Sequence, residues 1–218
     1  MSKSVYSLVL TDQVVEAIDA LAYTLGTSRS ALIDRILASH VSYTTPEMRI
    51  NSIFDSVSRL MSQHSGFIVQ AGDQMMSIRS SLKYKYKPTL RYSLQLFRSS
   101  EKTEGELKVS FRTQSADLIA RMEDFLRLWA ALEEKYIVNS LPDGIRYLIE
   151  DGRFTRSVTL PDSYRDKSDE EIAAAITQYI HMFDDVLKVY FANLDNGTAP
   201  EAAVQRYSEY LKKGIALI

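Results

Sequence analysis

The chain has 218 residues, 45% of them apolar, a formal net charge of −2 and no cysteine. The missing cysteine excludes disulfides, cysteine zinc sites and a thiol nucleophile, and the apolar content argues against bulk disorder. The net charge gives the whole protein no attraction to nucleic acid or to an anionic membrane. There is no apolar run of about 18 residues and no signal peptide, so we expect a cytoplasmic protein without a membrane partner.

A short alternating segment, SVYSLVL at residues 4–10, opens the chain. It predicts a β-strand, because successive strand side chains point to opposite sides. One face carries Tyr6, Leu8 and Leu10. The other face carries Val5, Ser7 and Val9. A lone strand leaves backbone groups unpaired, which is costly, so we predict that it pairs with the same strand of a second copy in a homodimer.

Two short helices are predicted after this strand. Thr11 or Asp12 offers an N-cap oxygen to the first helix, and Gly26 ends that helix as a C′ glycine. Thr27 or Ser28 caps the second helix. Apolar residues recur at helical spacing in both segments, as expected for helices that each bury one face.

The strand, the first helix and the segment LGTSRSALIDRIL at residues 25–37 resemble the ribbon-helix-helix fold of the Arc, MetJ and CopG type repressors. The resemblance covers about residues 3–43. It implies a homodimer that binds double-stranded DNA, with Val5, Ser7 and Val9 entering the major groove. It also implies that the start of the second helix contacts a DNA phosphate. The phosphate-binding residues implied in this way are Lys3, Thr27, Ser28, Arg29 and Ser30.

Two features of residues 1–45 depart from that family. Val5 and Val9 offer only methyl groups, where base edges offer hydrogen-bonding groups. Three cations oppose four carboxylates in this segment, so counterion release would be small. Three interpretations remain. The first is a transcriptional repressor, and the second is an accessory DNA-binding factor of a plasmid or mobile element, acting in partition, replication or conjugation. The third is a scaffold in which the ribbon-helix-helix unit only dimerises.

Residues 46–84 are predicted to form a long helical connector. Apolar residues from Ile50 to Leu82 recur every three or four positions. Gly66 and Gly72 weaken this prediction and are compatible with a break near the segment HSGF. The connector would either pair with its copy in the dimer or pack on the following domain.

Residues 85–218 are predicted to form an α+β domain with two β-hairpins. The first hairpin joins two alternating segments between residues 90 and 111 through a long polar loop. The second turns at Asp151–Gly152, a strong signal for a two-residue turn, and places Ile149 opposite Phe154. Each hairpin has one apolar face that needs cover.

Three helices are predicted to supply that cover, at about residues 115–138, 169–194 and 200–213. Ser168 and Glu171 form a capping box at the start of the second of these helices. We expect this domain to bind a small-molecule effector or a protein partner, or to add contacts between copies of the chain.

A basic segment lies within residues 79–98, where no acidic residue occurs. Its cations are Arg79, Lys83, Lys85, Lys87, Arg91 and Arg98. In KYKYKP the cations alternate with tyrosines, a combination that suits phosphates and unpaired bases. The segment is therefore a candidate second nucleic-acid contact. The alternatives are a docking site for an acidic protein surface and a solvated strand edge whose lysines discourage aggregation.

Signals of catalysis are weak. His40, His64 and His181 lie far apart without the spacing of metal ligands. The pairs Glu133–Glu134 and Asp184–Asp185 are adjacent on predicted helices, so their side chains diverge by about 100°. No glycine-rich phosphate loop follows a strand, and no G-x-S-x-G motif occurs. We therefore expect no catalytic residue, no metal site and no cofactor.

Overall fold

The computed structural model describes residues 5–72, 75–85, 87–97, 104–137, 141, 144–159 and 167–214. The chain divides into two compact units, residues 1–49 and residues 50–218. The helices are α1 (Asp12–Thr24), α2 (Arg29–His40), α3 (Pro46–Ser62), α4 (Ala116–Tyr136), α5 (Asp169–Ala192) and α6 (Ala199–Lys212). The strands are β1 (Phe67–Ala71), β2 (Met75–Ser81), β3 (Thr89–Leu96), β4 (Glu104–Phe111), β5 (Tyr147–Glu150) and β6 (Arg153–Thr159). None of the described helices is long and apolar enough to cross a lipid bilayer.

The two predicted helices of the first unit are confirmed, with the glycine turn between them. After α1, Gly26 adopts φ +61°, and the Thr27 N–H donates to the Ala22 carbonyl at 3.0 Å. This closing pattern is a Schellman motif, which favours glycine at the left-handed position. The hydroxyl oxygen of Ser28 then accepts a hydrogen bond from the Ala31 N–H at 3.2 Å and caps α2.

The predicted N-terminal ribbon is not confirmed, because residues 5–11 form no strand in the single chain. No described residue forms a hydrogen bond with residues 5–10. A strand is defined by its ladder, and the predicted ladder needs a second chain. Among the described residues, regular structure therefore begins at α1.

The second unit contains a six-stranded antiparallel sheet in the order β1-β2-β3-β4-β6-β5. The predicted hairpins β3–β4 and β5–β6 are confirmed, with Ile149 opposite Phe154. Positive φ at both Asp151 (49°) and Gly152 (68°) is the backbone of a type I′ turn. Pairing between β4 and β6 joins the two hairpins into one sheet.

The predicted helix over residues 46–84 is wrong beyond Ser62, where α3 ends. Strands β1 and β2 form a third hairpin instead, with Val69 opposite Ile78. Gly66 adopts φ +105°, a conformation outside the helical region, and so separates α3 from β1. The apolar residues that suggested a helical period fall on both faces of this hairpin, since Ile68 is 60% exposed while Ile78 is buried.

The three predicted helices of the second unit are confirmed as α4, α5 and α6, and the capping box of Ser168 and Glu171 is present. Together with α3, they bury one face of the sheet in a single apolar core. The opposite face, here called the outer face, carries mostly polar side chains. Its residues include Ser77, Arg79, Arg91, Ser93, Gln95, Lys108, Ser110, Thr155 and Ser157.

Candidate nucleic-acid interface

The residues predicted to face base pairs lie in the extended segment before α1. Val5 and Val9 are fully exposed, and Ser7 between them is exposed. Tyr6 and Leu8, predicted to face the core of a dimer, are also exposed, at 86% and 51%. Leu10, on the same face as Tyr6 and Leu8, is 39% exposed, so the described part of the single chain covers this face only in part and leaves Val5 and Val9 open. The predicted phosphate contact Lys3 lies outside the described residues.

Four predicted phosphate contacts lie together at the start of α2. Thr27 and Ser28 precede the helix, and Arg29 and Ser30 are its first two residues, all but Thr27 exposed. Among the described helices, α2 alone has no acidic residue in its first turn. A helix N-terminus favours anions, so this end combines free N–H groups with a cation instead of a carboxylate. That chemistry suits a phosphate from outside the chain.

The Arg29 side chain is not free in the single chain. Its guanidinium donates to the Asp19 carboxylate of α1, which neutralises it locally. Arg29 is 65% exposed and Asp19 is 33% exposed, so solvent screens the pair. Sequence spacing did not indicate this pairing, because it depends on how the two helices pack across the Gly26 turn.

The cations of the basic segment that lie among the described residues are here called the basic surface: Arg79, Lys83, Lys85, Lys87 and Arg91. Arg79 on β2 lies directly opposite Arg91 on β3, and the three lysines lie in the turn between these strands. No ion pair joins any of these five cations to a carboxylate of the described chain. Arg98, the sixth predicted cation, lies outside the described residues.

The tyrosines of KYKYKP do not form an exposed stacking platform in the described structure. Tyr84 is half-buried, and its ring lies 5.3 Å from that of Phe191 in the core. Lys85 lies over the Tyr84 ring at 5.6 Å. Tyr86 falls outside the described residues. Within the described residues, the basic surface therefore presents cations and no fully exposed aromatic ring.

Two histidines that are far apart in sequence meet in the second unit. The His64 and His181 rings lie 4.1 Å apart between centroids, close to Phe67. Burial, and then the neighbouring His64, lowers the pKa of His181. Within the described residues, no group of three or more histidine or acidic side chains is placed to bind a metal.

The acidic pairs diverge, as their helical spacing requires. Glu133 is fully buried, whereas Glu134 is exposed. Asp184 accepts hydrogen bonds from Tyr92 at 2.9 Å and from Lys188 at 2.6 Å. The carboxylates of Glu133 and Asp184 both accept hydrogen bonds from neighbouring side chains. This arrangement is typical of structural networks rather than of a catalytic acid pair.

Two of the clefts lined by described residues of the second unit could admit a small molecule. One, of about 560 Å³, is bordered by Ser81, Lys83 and Lys188 at one end of the sheet. The other, of about 300 Å³, lies beside β5 and is lined in part by Phe97 and Leu148. Both are candidate sites for the effector that was expected in this domain.

Comparison with known proteins leaves the chain without a relative to guide these assignments. No family model matches it, and neither a curated protein nor a solved structure matches it. The start of α2 and the basic surface are therefore the features that bear on function.

Proposed function

We propose that the protein is a homodimeric, sequence-specific DNA-binding protein of ribbon-helix-helix type, and that it acts as a transcriptional repressor. In this proposal the N-terminal segments of two chains pair antiparallel and lie in the major groove. The N-termini of the two α2 helices bind backbone phosphates on either side. The observation that carries the proposal is the amount of apolar surface that one copy of the first unit leaves uncovered.

That surface is large for so short a segment. Thirteen of the eighteen most exposed large apolar side chains among the described residues lie between Val5 and Tyr43. The first unit buries only three apolar side chains of its own, Ala22, Leu32 and Ala38. An exposed apolar region of this kind marks an interface, and strand pairing between two copies would cover it while satisfying the free backbone groups.

The DNA part of the proposal is supported by the start of α2. A cation at the positive end of a helix is unfavourable unless an anion binds there. Arg29 occupies this position, next to the exposed Ser28 and Ser30 hydroxyls. On the paired strands, Ser7 would donate or accept a hydrogen bond, and Val5 and Val9 would contact thymine methyl groups.

A dimerising scaffold is the second candidate, and the Arg29–Asp19 ion pair favours it. Selection from a randomised pool of DNA duplexes separates the two functions. The DNA-binding protein should enrich duplexes with repeated half-sites, because a two-fold dimer contacts two copies of the same sequence. A scaffold should enrich no sequence at any salt concentration.

Charge changes around Arg29 should alter DNA affinity in opposite directions. Arg29→Glu should weaken binding to a selected duplex about tenfold to a hundredfold, since it replaces a charge-assisted hydrogen bond with repulsion. Asp19→Asn should strengthen binding about two- to fivefold by releasing Arg29 from its ion pair. Fluorescence anisotropy measures both effects.

The matched control is Arg35→Glu, the same charge reversal at an exposed position further along α2. It should weaken binding less than Arg29→Glu does, because the helix-terminus effect falls off within the first turn. Equal losses for the two variants would show that only net charge matters and would remove the proposed phosphate site.

A further inference from the structure

We propose that the second unit carries a separate binding surface for the phosphate backbone of double-stranded DNA, formed by the basic surface around Arg79 and Arg91. The inference rests on the proposed function for its ligand, duplex DNA. It does not rest on the N-terminal unit, because it concerns residues on β2, β3 and the turn between them.

The register of β2 and β3 places two cations side by side. Arg79 and Arg91 are direct cross-strand partners on the outer face. Like charges directly opposite each other on neighbouring strands destabilise a sheet. No acidic side chain of the described chain forms an ion pair with either arginine, so no carboxylate offsets the repulsion within the described residues. A bound anion would turn this repulsion into a paired contact.

The two arginines differ in their hydrogen bonding. Arg91 donates from Nε to the Ser77 hydroxyl at 3.0 Å, which fixes its orientation on the outer face. The Nε atom of Arg79 is buried and has no acceptor among the described residues. Because this Nε atom is inaccessible from outside, a bound phosphate would contact only the part of Arg79 that stays accessible, and a phosphate oxygen is a suitable partner for a guanidinium.

Serine residues lie next to the arginine pair on the neighbouring strands. Ser77 lies opposite Ser93, and Ser110 lies opposite Arg91, so hydroxyls flank the arginines on the outer face. Arginine, lysine and serine are the side chains that most often contact DNA phosphates. Strand β2 ends at Ser81, two residues after Arg79, so the lysines of the turn follow the arginine pair closely along the chain.

Duplex DNA fits this surface better than other polyanions. Single-stranded nucleic acid is bound largely by stacking on exposed rings, and Tyr84 instead packs against Phe191. A protein interface is usually centred on buried aromatic or apolar anchors, whereas the cross-strand partners of Arg91 are Arg79 and Ser110. Ile68, opposite Arg79, is an apolar side chain exposed on the same face. The phosphates of duplex DNA are regularly spaced anions, so a surface that binds them needs neither aromatic rings nor apolar anchors.

Binding of full-length variants to a labelled random-sequence duplex, followed by anisotropy over a salt series, tests the inference. Arg79→Gln should reduce the slope of log K against log salt by about 0.9 for each phosphate that the variant no longer neutralises. A triple variant should reduce this salt slope by up to about 2.7 per chain, if glutamine replaces Lys83, Lys85 and Lys87 together. The control Arg127→Gln, an exposed cation on α4, should leave the slope unchanged.

Stability provides a second readout with the opposite sign. Without DNA at low salt, Arg79→Gln should raise the melting temperature by about 1–3 °C, because it removes the cross-strand repulsion. A variant that is more stable yet binds DNA more weakly is expected for a binding residue. A purely structural arginine would not show both changes.

The outcomes separate this inference from the proposed function. If the basic-surface variants bind like Arg127→Gln while Arg29→Glu weakens binding, the inference is overturned and the proposed function stands. If the basic-surface variants bind weakly while Arg29→Glu has no effect, the inference stands and the proposed function is overturned. Absence of duplex binding at low salt would overturn both. Tighter binding to a single strand than to the duplex would overturn the assignment of duplex DNA.

Discussion

The variant Glu133→Ala should lose about 3–5 kcal/mol of unfolding free energy, because it leaves a buried guanidinium without its carboxylate. Glu133 and Arg156 are both fully buried, and Arg156 Nε donates to Glu133 Oε2 at 3.1 Å. The Tyr179 hydroxyl donates to the other oxygen of Glu133 at 2.9 Å. Removing the carboxylate therefore breaks two hydrogen bonds and takes away the negative charge that faces the Arg156 guanidinium in the core that joins α4, α5 and β6.

Urea unfolding followed by tryptophan fluorescence measures this loss. Trp129 is the only tryptophan, and its indole N–H donates to the Tyr179 hydroxyl at 3.1 Å, next to the ion pair. The neighbouring exposed residue supplies the control, since Glu134→Ala should change stability by less than about 0.5 kcal/mol. A loss below about 1 kcal/mol for Glu133→Ala would contradict the buried ion pair.

Alkaline solution should unfold the protein steeply, starting near pH 10. Burial raises the pKa of Tyr92, Tyr179 and Tyr207, with nearby carboxylates as further causes. Because their folded pKa lies above the unfolded value of about 10, stability is fully present below pH 10 and falls as the pH rises. Each such tyrosine contributes up to about 1.4 kcal/mol per pH unit above that point, so the three together lower the unfolding free energy by up to about 4 kcal/mol per pH unit.

The variant Tyr207→Phe tests the origin of this slope. The Tyr207 hydroxyl is buried without a hydrogen-bond partner among the described residues, so its removal should not weaken the fold near neutral pH. The alkaline slope should become shallower by about 1.4 kcal/mol per pH unit, the contribution of one tyrosine. Urea titrations at several pH values above 9 give both slopes, and identical slopes would contradict the assignment of Tyr207.

Much of the second unit could be predicted because its signals are local. The turn at Asp151–Gly152 fixes the register of β5 and β6, and the capping box at Ser168 fixes the start of α5. The pairing of β4 with β6 could not be predicted, since it joins segments separated by the whole of α4. Sheet order depends on packing across the core, which no local pattern contains.

The third hairpin was missed for a physical reason. Apolar residues at positions 68, 71, 75, 78 and 82 fit a helical period by chance, and Gly66 and Gly72 were the only signals against a helix. In the structure, Phe67 and Val69 pack against the core while Ile68 is exposed, which is the alternation of a strand. Because Arg79 was assigned to a helix, its position opposite Arg91 could not be foreseen.

The candidate sites were predicted in part. The Ser28 cap and the exposed start of α2 follow from the order of residues around Gly26 and are confirmed as structure. The ion pair of Arg29 with Asp19 and the contact of His64 with His181 depend on tertiary packing and left no signal in the sequence. The N-terminal ribbon stays a prediction, because its partner strand would belong to another chain.

Analytical ultracentrifugation of the wild-type chain and of Leu8→Pro tests the central claim most directly. We expect the wild-type mass to be twice 24.8 kDa at micromolar concentration. Leu8→Pro should be monomeric and folded, because proline removes a donor from the proposed ladder, while residues 5–10 form no hydrogen bond with the described part of their own chain. A monomeric wild-type protein, or a dimer that Leu8→Pro leaves intact, would contradict the pairing of N-terminal strands on which the account depends.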